Sequence, residues 1–388
     1  MKKFIDFVRS VFKTEEFIPL HEPRFWGNEK KYVADCIDST FVSSVGKYVD
    51  KIEQMVAEYT GAKYAVATVN GSAALHIALL LAGVEYDDEV ITQPLTFIAT
   101  ANAINYCNAK PVFVDVDIDT MGLSPTKLKD FLEEFVEIKD YGFSYNKKTG
   151  KRLKACVPMH TFGHPVKIDE IIELCNKYNI AVVEDAAESP GSKYKNKHTG
   201  IFGKLGILSF NGNKTITTGG GGMIITDDEN LAKLAKHITT TGKKPHKWEY
   251  VHDIKAYNYR MPNLNAALGC AQIEQLDDFI LDKRKLFEIY NQFFKNSDIQ
   301  LFKEPEHAFS NYWLQAVILE NRNERDKFLE FTNSKGVMTR PIWQLLNKSE
   351  MYKNAHCTDL TNSQWLEDRV VNIPVSYTHL TLPTKRIV

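Results

Sequence analysis

The chain has 388 residues, 44% of them hydrophobic and 11% aromatic, and its 48 Lys and Arg against 49 Asp and Glu leave a formal net charge of −1. That length can bury the core of one large and one smaller domain, and the balanced charge gives no reason to expect nucleic acid or an anionic membrane as partner. No apolar run reaches membrane-spanning length. The six scattered cysteines (Cys36, Cys107, Cys156, Cys175, Cys270, Cys357) have neither metal nor redox spacing, which fits reduced thiols in a cytoplasmic protein and no metal site.

Residues 1–12 carry Phe4, Ile5, Val8, Val11 and Phe12 at helical spacing, interrupted by Asp6 and Arg9. This fits a surface or partner-packing helix and not a signal peptide. From residue 63 short apolar runs alternate with helical segments. Strands are expected over 64–69, 89–92, 111–114, 155–159, 180–184 and 207–210, with helices over 73–81, 96–107 and 168–177. The rhythm predicts an α/β fold with a mainly parallel sheet covered by helices on both faces. Residues 141–152 break it and read as a surface insertion. Beyond residue 250 the pattern shifts to a long helix, or two joined ones, over 262–290, a strand over 313–319, and a helix stopped by Gly336. The chain therefore divides into an N-terminal segment and large domain over 1–250, a smaller α+β domain over 251–375, and a tail over 376–388. That tail has neither helical nor strand period and reads as non-native sequence.

The chemistry concentrates at strand ends. Lys214 follows the run ending in Ser209-Phe210, and Asp185 and Glu188 follow the apolar run 181–183. A lysine that holds an aldehyde cofactor covalently, and an acid that keeps the cofactor's ring nitrogen protonated, are the two parts a pyridoxal phosphate enzyme requires. Lys214 is read as the first and Asp185 as the second, with Ser209 donating its hydroxyl to the phosphate. Asn70-Gly71-Ser72-Ala73 opens a helix, where unpaired N–H groups and the helix dipole favour an anion. Ser72 and Ala73 either take a phosphate there, or the motif is a plain N-cap. Glu188 taken alone is a first-turn helix acid. Phe97 either stacks on a cofactor ring or is a core aromatic. Gly219 to Gly222 lack the Lys-Ser/Thr pair of a nucleotide loop, since Met223-Ile224 follows, and fit backbone freedom beside a cofactor.

Together these pieces resemble the DegT/DnrJ/EryC1/StrS sugar aminotransferases over residues 18–374. The resemblance rests on Asn70-Gly71-Ser72-Ala73-Ala74-Leu75, Thr96-Phe97, Val114-Asp115-Val116, Glu184-Asp185-Ala186-Ala187, Ser209-Phe210 with Lys214, and Tyr257-Asn258-Tyr259-Arg260-Met261. It implies a fold type I transferase, with a seven-stranded sheet in its large domain, and a homodimer with shared active sites. Pyridoxal 5'-phosphate is held on Lys214, with Asp185 at the ring nitrogen, Phe97 on the ring, and Ser72, Ala73 and Ser209 on the phosphate. Glu188 stands near the phenolic oxygen, where many members have His or Gln, and Asn258 crosses to the partner's phosphate. The substrates implied are glutamate and a nucleotide-linked 4-keto-6-deoxy sugar, with UDP-4-keto-6-deoxy-N-acetylglucosamine the leading acceptor and bacterial surface glycans the destination. The branch handling nonulosonate (legionaminic acid-type) precursors is similar in its four-glycine run, in Glu22-Pro23-Arg24-Phe25, in the insertion, and in Thr339-Arg340-Pro341-Ile342-Trp343. Two rivals are a sugar dehydratase, whose members carry His at the lysine position, and a non-catalytic sensor on the same fold, which would not need Lys214, Asp185 and Ser209 together.

Overall fold

The computed structural model describes residues 1–376, so the tail expected over 376–388 lies outside the described residues apart from Ser376. Its main sheet has eight strands, in the order Tyr64–Thr68, Gly222–Thr226, Leu205–Ser209, Ala181–Asp185, Leu153–Val157, Glu89–Thr92, Lys110–Phe113 and His356–Cys357. Gly222–Thr226 pairs antiparallel with both neighbours, and the other adjacent strands pair parallel. The sheet is mainly parallel, as expected, but has eight strands and not seven. The extra one is the two-residue edge strand His356–Cys357, too short to leave a period in the sequence.

Side chains alternate across this sheet, as the pleat requires. Val66, Ile207, Ile224, Val90 and Val183 enter one core with the Gly71–Leu81 helix. Ala67, Leu208, Met223 and Ile225 face the helices Lys47–Thr60 and Asn263–Ile273 on the other side. Ile91, Val112, Cys156 and Val182 join helices Pro125–Phe135 and Ile168–Lys177. Near-continuous apolar strands are what a sheet covered on both faces needs.

A second sheet of four strands runs Gln300–Leu301, Gln315–Ile318, Val370–Ile373 and Arg340–Pro341, all antiparallel. The Lys2–Phe12 helix buries Phe4, Ile5 and Val8 here, in one core with Tyr290, Phe294 and Phe328. The expected surface or partner-packing helix thus packs on its own chain. The region over 262–290 is two helices, Asn263–Ile273 and Leu276–Phe294. The insertion folds back as Ser144–Asn146 paired with Val136–Ile138. It is less superficial than expected, because the buried Asn146 donates to Glu89 at 2.7 Å and sits 2.9 Å from His356 Nδ1.

Candidate active site

The carboxyl ends of the parallel strands open into a cavity of about 670 Å³, the place where α/β sheets hold ligands. Its lining includes Ser72, Phe97, Thr100, Asp185, Glu188, Ser209 and Lys214. Residues from four separate sequence motifs therefore meet in one space. Strand ends deliver two of them, Asp185 closing Ala181–Asp185 and Ser209 closing Leu205–Ser209, and Ser72 stands in the first turn of Gly71–Leu81.

Lys214 is buried with its Nζ 3.3 Å from Glu188 Oε1 and 3.9 Å from the centroid of the Trp313 ring. Trp313 is fixed in turn, its Nε1 donating to the Asn213 carbonyl at 2.6 Å and its amide donating to Asn311 Oδ1. Glu188 Oε2 accepts the Phe162 amide at 2.9 Å. Phe162 is fully buried at φ 57, a left-handed backbone that costs a non-glycine residue energy. Burial raises the Glu188 carboxyl to about 7, against the opposing pull of Lys214 and of the Phe162 amide.

Asp185 accepts from Thr100 Oγ1 at 2.8 Å and from the Ala187 amide at 3.2 Å. Burial raises its pKa nonetheless, with Thr100, Ala187 and Lys214 only partly offsetting it. A cationic ring nitrogen is the partner such an acid lacks, so Asp185 fits the cofactor. The phosphate end fits as well. A Cβ on Gly71 would lie 2.9 Å from Ser209 Cβ and 3.1 Å from its Oγ, so the missing side chain is what lets the Ser209 hydroxyl reach the helix start.

Two expected residues stand apart. The Ala73 amide is already taken by the cap, donating to Asn70 Oδ1 at 2.8 Å, and Ala73 is absent from the lining. Asn258 is exposed and outside the cavity, its Oδ1 accepting from Arg260 Nε at 3.2 Å. Phe97 lines the cavity half-exposed and is no core aromatic. The four-glycine run is also off the lining: a Cβ on Gly222 would strike the Asn70 carbonyl carbon at 2.5 Å, so that glycine lets strand and helix cap close up.

Sequence reasoning missed Thr100, Phe162, Trp313 and Asn372, and quoted Arg340 without a role, yet all five line the cavity. Trp313, Arg340 and Asn372 lie more than a hundred residues from Asp185 along the chain, so no local spacing ties them to it.

Fold and site together define a fold type I aminotransferase. The chain belongs to the DegT/DnrJ/EryC1/StrS aminotransferase family, whose sequence profile matches residues 25–388; the family is pyridoxal phosphate-dependent. It is 40% identical over 341 residues to the GDP-perosamine synthase of Escherichia coli O157:H7, covering 88% of each chain. It is 35% identical over 360 residues to the GDP-perosamine synthase of Vibrio cholerae, covering 92% of this chain and 93% of the other. The crystal structure of the aminotransferase TlmJ from Streptoalloteichus hindustanus superposes with a TM-score of 0.84 at 25% identity, covering 94% of this chain and 95% of that one.

Proposed function

We propose that this enzyme moves an amino group from glutamate to the ketone of a nucleotide-linked 4-keto-6-deoxy sugar, in the nonulosonate-precursor branch that supplies bacterial surface glycans. UDP-4-keto-6-deoxy-N-acetylglucosamine is the leading acceptor, and the two GDP-perosamine synthases make a GDP-linked sugar the alternative to compare with it. The single observation that carries the reading is a buried lysine, Lys214, set against a buried carboxylate in the cavity that Asp185 also lines. A dehydratase of this family would have His in place of Lys214.

Pyridoxal phosphate, when bound, supplies the electron sink that lets an amine pass from an amino acid to a ketone. The chain's own residues do the rest. Asp185, oriented by Thr100 and the Ala187 amide, holds a proton on the ring nitrogen. Ser72, Ser209 and the helix start receive the phosphate. Lys214 Nζ takes the proton from the donor's α-carbon and returns it one position along. Glu188, 3.3 Å away, accepts the proton that the lysine must shed before it can act as a base.

Asn258 is read as serving the cavity of a second subunit, which its exposure and its place outside its own cavity support. The homodimer follows from that reading. The six free cysteines support a reducing, cytoplasmic setting. A division into large and small domains near residue 250 draws support from the second sheet, whose strands all fall within 300–373, but the Lys2–Phe12 helix packs with that sheet and Asn263–Ile273 and His356–Cys357 pack with the first.

The test has two parts. Borohydride reduction of the purified holoenzyme should tag one peptide, and that peptide should contain Lys214; a tag elsewhere overturns the assignment. Incubation with glutamate and a panel of UDP- and GDP-linked 4-ketosugars, read by mass spectrometry and NMR, should yield a 4-amino sugar from one of them.

A further inference from the structure

The reaction proposed above requires Lys214 Nζ to take a proton at one atom and return it at the next, yet that nitrogen rides on a flexible four-carbon stem. Two contacts confine it, Glu188 Oε1 at 3.3 Å and the Trp313 ring with its centroid at 3.9 Å. Trp313 also holds the backbone just before the lysine, its Nε1 donating to the Asn213 carbonyl at 2.6 Å. The aim of the lysine therefore depends on what fixes Trp313.

Trp313 stands two residues ahead of the strand Gln315–Ile318, outside the ladder that would hold its backbone. Its carbonyl is taken instead by Lys283, on the helix Leu276–Phe294. Lys283 Nζ donates to the Trp313 carbonyl at 3.2 Å and to the Val375 carbonyl at 3.1 Å, and Gln315 Nε2 donates back to the Lys283 carbonyl at 2.9 Å. One side chain thus ties this helix to the start of one central strand of the second sheet and to the end of the other. Lys283 is 0% exposed, and burying an amine that an apolar side chain of similar length could replace costs free energy. What the lysine adds is this pair of hydrogen bonds. Burial lowers it to about 7, against the opposing pull of Asp282, and its charged and neutral forms both keep enough N–H donors for the two carbonyls.

We propose that Lys283 is a positioning residue for the reaction: by holding the Trp313 carbonyl it fixes the indole against Lys214 and the Asn213 carbonyl, and so keeps Lys214 Nζ aimed. The proposal rests on the reading of Lys214 given above. Lys283 itself touches neither substrate nor cofactor and acts through Trp313 alone.

The test compares Lys283→Met, Lys283→Gln, Trp313→Phe, which loses the indole N–H, and the double variant Lys283→Met/Trp313→Phe. For each, stopped-flow absorbance gives the limiting rate and the half-saturating glutamate of the first half-reaction. Dialysis gives the affinities for pyridoxal phosphate, which Lys214 holds covalently, and for pyridoxamine phosphate, which it does not. Lys283→Met should lower the limiting rate by about 10- to 100-fold, the cost of a misaimed group, and weaken pyridoxal phosphate retention. Half-saturating glutamate and pyridoxamine phosphate affinity should stay within about twofold of wild type, since a positioning role leaves the cavity itself intact. Lys283→Gln keeps one donor and should recover part of the rate. Because both residues act through the same indole, the double variant should lose no more than the worse single one, whereas independent losses multiply. The proposal is overturned if both Lys283 variants keep the limiting rate within about twofold of wild type, if the losses multiply, or if pyridoxamine phosphate affinity and glutamate half-saturation worsen along with the rate. Should Lys283→Met fail to fold, Lys283→Gln and its combination with Trp313→Phe decide the same points. A borohydride tag outside Lys214 would instead overturn the reading of Lys214 and not the clamp on Trp313.

Discussion

Glu188 and Asp185 lie on one short connection and are both buried, yet they meet different partners. Asp185 faces a hydroxyl and a backbone amide, and Glu188 faces Lys214 and a backbone amide, with Asp185 itself adding a like charge. Burial raises both carboxyls, and Glu188 reaches about 7. Below that value Glu188 is protonated and cannot relieve Lys214 of a proton; above it the carboxylate can. The rate of the glutamate half-reaction, followed by stopped-flow absorbance, should therefore rise through pH about 7 in the wild type, and that limb should vanish in Glu188→Gln. Persistence of the limb in the variant would assign it to another group. Asp185→Asn keeps the size and loses the charge. Buried electrostatic terms of this kind are worth roughly 3 kcal/mol, so the same half-reaction should slow by about 100-fold or more. Thr100→Val should slow it less, because the charge remains and only one of its donors is lost, and Thr100→Ser should restore it. Lys214, Asp185 and Glu188 were legible in the sequence because each follows an apolar strand. Thr100 and Phe162 were not, because what they contribute is a hydroxyl and an amide aimed by the fold.

At the scale of elements, the Gly71–Leu81 helix depends on how its first turn is closed. Asn70 Oδ1 caps the Ala73 amide, and the Gly222 backbone packs against Asn70. Asn70→Ala should lower the unfolding free energy by about 1 kcal/mol in a denaturant melt. It should also weaken cofactor retention on dialysis, since the cap sets the angle of the turn proposed to receive the phosphate. Gly222→Ala should be worse on both counts, because the new methyl would meet backbone at 2.5 Å and not a side chain that can swing away. Six strands of the large sheet and the helix Ile168–Lys177 were readable from apolar periodicity; the antiparallel strand Gly222–Thr226, which opens on glycine, and the covering helices Lys47–Thr60 and Pro125–Phe135 were not. The anchoring of the insertion was not, since Asn146 finds Glu89 and His356 from opposite ends of the chain.

At the scale of the whole molecule, the N-terminal helix and the region of the second sheet stabilise each other. Phe4 is 3% exposed, with ring centroids 5.2 Å from Phe328 and 5.8 Å from Phe294. Phe4→Ala should cost about 3–5 kcal/mol in a chemical melt, a loss no surface helix would show. The segment leading into the second sheet also reaches the cavity through Trp313, which lies just before Gln315–Ile318 and whose carbonyl accepts from the buried Lys283 at 3.2 Å. The proposed dimer can be tested by complementation. Asn258→Ala and Lys214→Ala, each nearly inactive alone, should on subunit exchange give mixed dimers with one intact site, and so up to about half of the activity per heterodimer. No recovery despite proven exchange would mean that Asn258 serves its own subunit.

The sequence by itself determined the alternation of strand and helix, and with it the sheet and the strand ends that carry Asp185, Ser209 and Lys214. These follow from periodicity, which is local and survives in a one-dimensional string. Only the tertiary structure decided that Glu188 would sit on Lys214, that Trp313 would cover it, and that Arg340 and Asn372 would face the same cavity. Those contacts join residues from separate elements, brought together by a shared core in which Leu95, Val116 and Phe162 meet Trp313, Ala316 and Val370, and no local pattern encodes them.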